Sequence, residues 1–313
     1  MKKYIVFIIS TFLFIASCSK QEKSDLAAEK MQEFVIDISD YARDFNPDFI
    51  IIPQNAVKLA YKYLDTAQGL NYRYLAAIDG FGVEELFYYE TFDPDYDRLS
   101  MLRALKNYKK VMVSEYVSNN NEITDALNRN FEEGFICFPR NGDNYHYLLI
   151  PDFVWFSNND DINLLSDAKN YLYLISSDNF ASKQAMINAI SATNFDIVLI
   201  DLFFEDDYFS AEEINILKTK ANGAKRLVIS YINIGSAENY RYYWQDNWKL
   251  HNPKWLKKKY EGYKDEFWVE FWQPEWQQII FGNDNSYIKK IIDAGFDGAY
   301  LDNVEAYYFL YFN

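Results

Sequence analysis

Nine short apolar runs recur along the chain, with helix-like stretches between most of them. None of the runs alternates apolar and polar residues, which is typical of strands covered on both faces of a parallel sheet. The predicted strands are residues 49–52, 74–78, 110–114, 134–138, 171–175, 195–200, 226–232, 267–271 and 297–301. The predicted helices are residues 27–44, 55–65, 98–108, 122–132, 182–193, 210–221 and 284–294.

This alternation of strands and helices predicts an α/β fold built on a parallel sheet. Eight such strands would close a (β/α)8 TIM barrel, so one of the nine runs is either peripheral or not a strand. An open, doubly wound sheet is the alternative. The chain of 313 residues is long enough for one large barrel domain. We therefore expect a single domain over residues 27–313, in which the Asn- and Asp-rich segment 139–168 joins two halves.

The N-terminus has the pattern of a secreted protein. A basic start, Met1-Lys2-Lys3, precedes an apolar stretch that is too short to span a bilayer. Small residues then lead directly to Cys18, which resembles a bacterial lipobox; an ordinary secretory signal is the alternative. The pattern predicts a signal peptide over residues 1–17, lipidation of Cys18 and a tether over residues 18–26. We expect the lipid to anchor the protein in the bacterial cell envelope, at the outer membrane, facing the periplasm or the surface.

Composition narrows the range of ligands. The formal net charge of −15 argues against nucleic acid as a partner and permits a cationic ligand. The two histidines, His146 and His251, make an imidazole-based metal site improbable, and no phosphate-binding glycine loop is present. We therefore expect neither a metal nor a cofactor, and we expect a monomer.

Carboxylates and amides follow nearly every predicted strand. In a parallel barrel the active site lies at the carboxyl ends of the strands, so these side chains should meet on one rim. Helix capping explains a single aspartate at such a position, but not a full ring with aromatic residues between its members. The ring comprises Asn55, Asp79, Glu84, Glu85, Asp201, Glu238, Arg241, Glu270 and Asp302, with Tyr231 and Trp272 among them. Paired carboxylates flanked by aromatic rings are what glycoside hydrolysis requires.

Three long motifs carry a resemblance to a known family. They are VISYINIGSAENYRYYW (228–244), FWVEFWQPEW (267–276) and GFDGAYLDNV (295–304). They resemble the signature of family 114 glycoside hydrolases, the endo-α-1,4-polygalactosaminidases, and of their bacterial relatives. Two earlier motifs, FIIIPQN (49–55) and IDGFGVEELFY (78–88), are similar to the same family.

The order of these motifs differs from the family's order. In the family, the counterpart of FIIIPQN follows that of DGAYLD, whereas here it comes first. The resemblance therefore implies a circular permutation with the cut just after the fifth family strand. Segment 139–168 would then join the family's original termini, which barrels tolerate when their ends lie close together.

The resemblance also implies a function. The family is understood as a (β/α)8 barrel that cleaves a partly deacetylated, α-1,4-linked galactosamine polymer. Carried over, Asp302 would be the nucleophile or base and Glu84 the general acid/base, with Glu85 as the competing assignment. A set of polar side chains would line the cleft and meet the cationic sugar: Asn55, Asp201, Glu238, Arg241 and Glu270. A non-catalytic glycan-binding lipoprotein on the same barrel is the alternative, and an adhesin is a third reading.

Overall fold

The computed structural model describes residues 19–312 in full and, for residues 2–18, only a helical backbone. The predicted signal peptide (1–17) and the Cys18 side chain therefore fall outside the residues described in full. Among the described residues, no helix is both long enough and apolar enough to cross a membrane.

Helices and strands alternate along most of the chain. The α-helices of the described residues are α1 (Lys2–Phe45), α2 (Tyr72–Ala77), α3 (Tyr96–Leu105), α4 (Asn120–Glu133), α5 (Lys183–Ser191), α6 (Ala211–Leu217), α7 (Pro274–Ile280), α8 (Tyr287–Asp293) and α9 (Ala306–Phe309). The strands are β1 (Ile50–Pro53), β2 (Gly80–Phe92), β3 (Lys110–Val117), β4 (Ile136–Arg140), β5 (Tyr171–Leu174), β6 (Ile197–Asp201), β7 (Phe203–Phe204), β8 (Asp207–Tyr208), β9 (Leu227–Asn233), β10 (Ser236–Glu238), β11 (Leu256–Lys259), β12 (Glu266–Val269) and β13 (Gly298–Asp302).

Eight of these strands form two parallel sheets. The larger sheet has the order β1-β13-β9-β6-β5, and the smaller has the order β2-β3-β4. The first and last strands of the chain pair directly, with Ile51 opposite Ala299. Every residue of β5, β6 and β9 is buried, which explains why these sequences do not alternate.

The two sheets meet at both edges. A parallel bridge joins Gln54 and Gly82 beyond β1, and the Asn55 amide donates to the Gly82 carbonyl at 2.8 Å. At the other edge β4 lies beside β5, where the rings of Phe138 and Tyr171 are 5.8 Å apart. The fold is thus mixed α/β with a five-stranded parallel sheet, and this strand order is compatible with a (β/α)8 barrel.

Two of the nine predicted strands need correction. Residues 74–78 are not a strand, because most of them form helix α2, whose first turn is capped by Asn71 through the Tyr74 amide at 3.2 Å. The strand of this region begins only at Gly80. Residues 267–271 overlap β12, which lies outside the parallel sheets in a small antiparallel sheet of order β10-β12-β11.

The predicted helices agree with the structure except in one region. Residues 55–65 form short 3-10 turns instead of an α-helix. The predicted start of α6 is confirmed, since Ser210 and Glu213 form reciprocal hydrogen bonds of a capping box. Gly134 ends α4 with a φ of 79°, a conformation that glycine adopts without steric cost.

Helix α1 packs beside the C-terminal end of the chain. Its inner face is fully buried at Ala28, Phe34 and Ile38. The Ser24 hydroxyl donates to the carbonyl of Tyr307 in α9 at 3.1 Å. Helix α1 therefore lies against the last helix of the described chain.

Segment 139–168 crosses from the end of β4 to the start of β5 and is held at its second half by a buried ion pair. Lys220 Nζ lies 2.6 Å from Asp196 Oδ1, and neither side chain is accessible to solvent. Lys220 also donates to the Asp160 carbonyl at 2.8 Å and to Asn158 Oδ1 at 3.2 Å. The segment is therefore a fixed part of the fold.

Candidate active site

A cavity of about 1360 Å³ opens at the carboxyl ends of the parallel strands. The side chains at this end come from different strands, so the parallel arrangement gathers residues that are far apart in sequence. Seven of the eight parallel strands contribute residues to the cavity: Asn55, Glu84, Arg140, Ile175, Asp201, Tyr231 and Asp302. Six of these lie at or near the carboxyl end of their strand, whereas Glu84 lies within the long strand β2, where its regular pairing with β3 is interrupted.

Asp302 is the last residue of β13 and faces this cavity. Its Oδ2 accepts a hydrogen bond from Tyr231 Oη at 2.5 Å, and its Oδ1 accepts from the Asn303 amide at 2.7 Å. Burial and the neighbouring negative charge of Glu84 raise the pKa of Asp302 to about 7, against the lowering effect of these two donors. Asp302 therefore changes its charge near neutral pH.

Glu84 lies across the same cavity on β2. Its Oε1 accepts from Tyr147 Oη at 2.5 Å and lies 3.8 Å from Arg140 Nη2. Its backbone amide donates to Asn55 Oδ1 at 2.9 Å, which fixes the strand at this point. Glu84 and Asp302 are thus brought to one cavity and influence each other electrostatically.

Glu85, the competing assignment, also lines the cavity but is held differently. Its Oε1 lies 3.3 Å from Arg140 Nη2, and its carbonyl accepts from Arg98 at 2.6 Å. Burial and the charge of Glu84 raise the pKa of Glu85. Glu85 is paired more closely with Arg140 than Glu84 is, whereas Glu84 is held by the Tyr147 hydroxyl.

Arg241 joins two of the predicted cleft residues in a buried cluster. Its guanidinium bonds both Asp201 oxygens, at 3.0 and 2.7 Å, and its Nε donates to Glu238 at 2.8 Å. The three side chains are less than a tenth exposed. Such fork-like pairing fixes the two carboxylates in place and neutralises part of their charge.

Two further carboxylates at the cavity have pKa values near or above neutrality. Burial, with the charges of Glu238 and Asp302, raises the pKa of Glu266 to about 8. Burial is also the main reason why the pKa of Glu305 rises to about 7. Glu266 accepts from Asn233 Nδ2 at 2.9 Å. Perturbed carboxylates that share one cleft are a mark of functional sites.

The lining is strongly anionic. Eleven acidic side chains and three basic ones line the cavity. Two of the basic ones, Arg140 and Arg241, already form ion pairs with lining carboxylates. The excess of acidic over basic side chains favours a ligand that carries positive charge.

Exposed aromatic rings border the cavity on two sides. Tyr89 and Tyr145 lie on the side of β2 and β4, whereas Tyr240 and Tyr242 lie beyond β10. All four rings are at least a third exposed although they are large and apolar. Such rings offer faces on which sugar rings can stack.

Unusual backbone conformations concentrate at the cavity. Half of the non-glycine residues with positive φ in the described chain line it: Asn55, Glu85, Tyr147, Glu205 and Asn303. Residues held in this sparsely populated region cluster at active sites, where the surrounding structure over-determines them.

Three predicted site residues lie away from the cavity. Asp79 directly precedes β2, at the amino end of that strand, and pairs with Arg43 at 2.9 Å. The prediction placed it at a carboxyl end because residues 74–78 were taken as the strand. Glu270 pairs with Lys257 at 2.9 Å. Trp272 lies beneath Lys30 of α1, whose Nζ is 4.3 Å from the ring centroid.

The sequence prediction also missed several lining residues. Tyr147 and Arg140 lie in or beside the segment taken as a linker, and Glu266 comes one residue before the predicted strand 267–271. A search for polar residues bordering each apolar run on both sides would have found Glu266. No sequence signal identified Tyr147.

Comparison with known proteins finds a family model that matches part of the chain. Residues 169–311 match the family model described as glycoside-hydrolase family GH114. The matched region contains the lining residues Asp302, Asp201, Glu238, Arg241 and Glu266. Glu84, Arg140 and Tyr147 come from the part of the chain before it.

Uncharacterised proteins of three organisms are similar to part of the chain. One from Methanocaldococcus jannaschii is 40% identical over 128 residues, which cover 40% of this chain and 35% of the relative. One from Thermotoga maritima is 36% identical over 121 residues, or 38% of this chain and 35% of the relative. One from Deinococcus radiodurans is 34% identical over 125 residues, covering 40% and 38%. The aligned part thus spans little more than a third of each of these relatives.

Proposed function

We propose that the protein is a glycoside hydrolase that cleaves a cationic amino-sugar polysaccharide of the α-1,4-galactosamine type. The observation that carries this proposal is the pair Asp302 and Glu84, which meet in one anionic, aromatic-lined cavity. The match of residues 169–311 to family 114 supports the reaction class.

The proposed chemistry uses the two carboxyl groups in different roles. Glu84 gives a proton to the glycosidic oxygen as the bond between that oxygen and the anomeric carbon breaks. Asp302 either attacks the anomeric carbon or removes a proton from the water that does so. Tyr231 holds Asp302, and Tyr147 holds Glu84, each at 2.5 Å.

The charge of the cavity supports an amino sugar as substrate. A desolvated ammonium group needs an anionic partner, and the lining provides several carboxylates that no arginine pairs. Asp265 lies among these on the loop side of the cavity. An acidic polysaccharide would be repelled by this surplus of negative charge.

Hydrolysis of partly deacetylated α-1,4-galactosamine oligomers, followed by product analysis, tests the proposal. We expect D302N and E84Q each to lower kcat by at least about 100-fold, because a positioned acid or base contributes 10²–10⁴-fold. E270Q serves as the control, since Glu270 lies outside the cavity, and should act like the unaltered protein. Tight binding of the oligomers without any turnover would instead support the non-catalytic glycan-binding alternative.

We also infer that the eight parallel strands close a circularly permuted (β/α)8 barrel. In the order β5-β6-β9-β13-β1-β2-β3-β4, each strand follows its neighbour around the ring, with α1 as the crossover between β13 and β1. Since β12 lies outside the parallel sheets, the cut would follow the fourth strand of this order and not the fifth. Family resemblance on both sides of the cut supports the permutation.

For localisation we propose a monomer that a lipid on Cys18 anchors to the bacterial cell envelope. Residues 19–23 are exposed, whereas Ser24 is buried against α9, so the tether would be shorter than the predicted 18–26. Replacing Cys18 with serine should move the protein from the membrane fraction to the soluble fraction. Light scattering after gel filtration tests the monomer.

A further inference from the structure

The segment between β4 and β5 supplies a side chain to the candidate active site. Tyr147 lies in this segment, yet its side chain is only 6% exposed and lines the cavity. Its backbone has a φ of 54°, and its carbonyl accepts from the Ser176 amide at 3.2 Å. Asn144 braces the turn by accepting from the amides of Leu148 and Leu149, both at 2.8 Å.

Two side chains pack against the ring of Tyr147. It stacks on the ring of Tyr173 with centroids 3.8 Å apart and an angle of 18° between the planes. The Arg140 guanidinium lies 4.5 Å from its centroid. With the ring clamped in this way, the hydroxyl has one available direction, which leads to Ser114 and Glu84.

The hydrogen bonds around this hydroxyl form a chain with a defined direction. Arg140 can only donate, and its Nη1 donates to Ser114 Oγ at 3.3 Å. Ser114 Oγ lies 3.0 Å from Tyr147 Oη, and Tyr147 Oη lies 2.5 Å from Glu84 Oε1. An ionised Glu84 can only accept, so the Tyr147 proton points to Glu84 and the Ser114 proton points to Tyr147.

We propose that Tyr147 is a positioning residue that fixes the Glu84 side chain through Oε1 and leaves Oε2 to exchange the proton with the substrate. The inference rests on the proposed function, in which Glu84 is the general acid/base. Because Oε1 is already occupied by a donor, a proton that Glu84 takes up must reside on Oε2. The same hydrogen bond serves both protonation states, so Glu84 need not rotate between the two halves of the reaction.

Burial and the charge of Glu84 support this role. Together they raise the pKa of Tyr147 well above its usual value, so its hydroxyl keeps its proton throughout the working pH range. Tyr147 is therefore a permanent donor and does not compete with Glu84 as an acid.

The test removes this single hydroxyl. In Y147F the ring stays, and we expect kcat to fall roughly 10- to 100-fold while KM stays within about twofold, because misplacement of a reacting group by about 1 Å has such an effect. Y171F is the matched control: Tyr171 contacts the same Phe138 ring, but its buried hydroxyl has no partner. Y171F should keep both constants. Equal losses in the two variants, or a kcat for Y147F within threefold of the unaltered protein, would overturn the proposal.

A second measurement does not depend on turnover. In crystal structures we expect Glu84 to adopt one conformer in the unaltered protein and in Y171F, and several conformers or a new one in Y147F. An unchanged Glu84 in Y147F overturns the positioning role whatever the activity. If the unaltered protein cleaves no amino-sugar polymer, the proposed function fails, whereas the crystal structures still decide the role of Tyr147.

Discussion

At the scale of single residues, opposing interactions set the pKa of Asp302. Burial and Glu84 favour its neutral form, while the Tyr231 hydroxyl and the Asn303 amide favour its charged form. The result is a pKa of about 7, which is unusual for an aspartate that must act as a nucleophile or base. In the usual pair of glycosidase carboxyl groups the raised pKa belongs to the general acid, so the raised pKa of Asp302 is the reverse of that pattern and restricts its action as a nucleophile or base to pH values near 7 and above.

The pH profile of kcat/KM reports this balance. Asp302 is active only when ionised, so we expect kcat/KM to rise with pH through about 7, the pKa of Asp302 in the free protein. Y231F removes a donor to the charged form, so the pKa of Asp302 should rise further and the acid limb should move to higher pH. The measurement is kcat/KM from pH 4 to pH 9 at constant ionic strength.

Y171F is the control for this profile as well, because its hydroxyl contacts neither carboxylate. Its acid limb should coincide with that of the unaltered protein. An acid limb that stays in place in Y231F would show that another group controls the rise, with Glu305 as the next candidate.

The same scale shows what the sequence can and cannot predict about the site. Asp302 and Glu84 could be predicted because each lies in or shortly after an apolar run, in a motif that resembles family 114. Tyr147 was missed because it contacts Glu84 across 63 positions from a segment without regular structure. Its role depends on a left-handed backbone turn and a stacked ring, and neither has a sequence signature.

At the scale of elements, the second half of segment 139–168 depends on Lys220. Removing one partner of a buried pair leaves the other charge uncompensated, at a cost of about 3–5 kcal/mol. We therefore expect K220M to lower the free energy of unfolding by about that amount, measured by urea denaturation. Limited proteolysis should also cut residues 141–168 faster, because the Asn158 and Asp160 contacts are lost together.

Lys169, one residue beyond the segment, offers a matched control because its partner Asp160 lies inside the segment. It pairs with Asp160 at 2.7 Å, but both side chains are more than half exposed. Exposed pairs contribute little, so K169M should unfold at the same urea concentration as the unaltered protein. Similar midpoints for K220M and K169M would mean that the buried pair does not stabilise the segment.

Two strand predictions failed because an apolar run is compatible with more than one kind of secondary structure or sheet. Residues 74–78 are apolar enough for a buried strand, but the alanines favour a helix and Asn71 caps it, so local propensity decided against the strand. Residues 267–271 do include a strand, but its partners β10 and β11 are too short to be visible in sequence. The other seven runs overlap parallel strands because strands covered on both faces leave an unambiguous pattern.

At the scale of the whole molecule, a ring of strands has no required starting point. The strands β1 and β13 pair directly, and the buried Ser24 of α1 contacts Tyr307 of α9. In the barrel that we propose, the break in the chain would therefore lie at one place between neighbouring elements. Stability should depend on the contacts and very little on where the break is placed.

Moving the break tests this idea. We expect a chain that begins at Phe153, ends at Asp152 and links Phe312 to Ser24 through about eight Gly and Ser residues, a flexible span of about 15 Å, to fold. The new ends, Asp152 and Phe153, are exposed and lie between the part of the segment that carries Tyr147 and the part that Lys220 contacts. Tyr147 therefore stays connected to β4, and Asn158 stays connected to β5.

Its melting temperature should stay within a few degrees of the original, and its activity should be retained, because no contact of Glu84 or Asp302 changes. The control opens the chain between Val113 and Ser114, both fully buried in β3, and should fail to fold since the break would cut a central strand. If the chain opened at residue 152 shows no cooperative unfolding, the fold requires its native connection through segment 139–168. Stability would then depend on where the chain is broken.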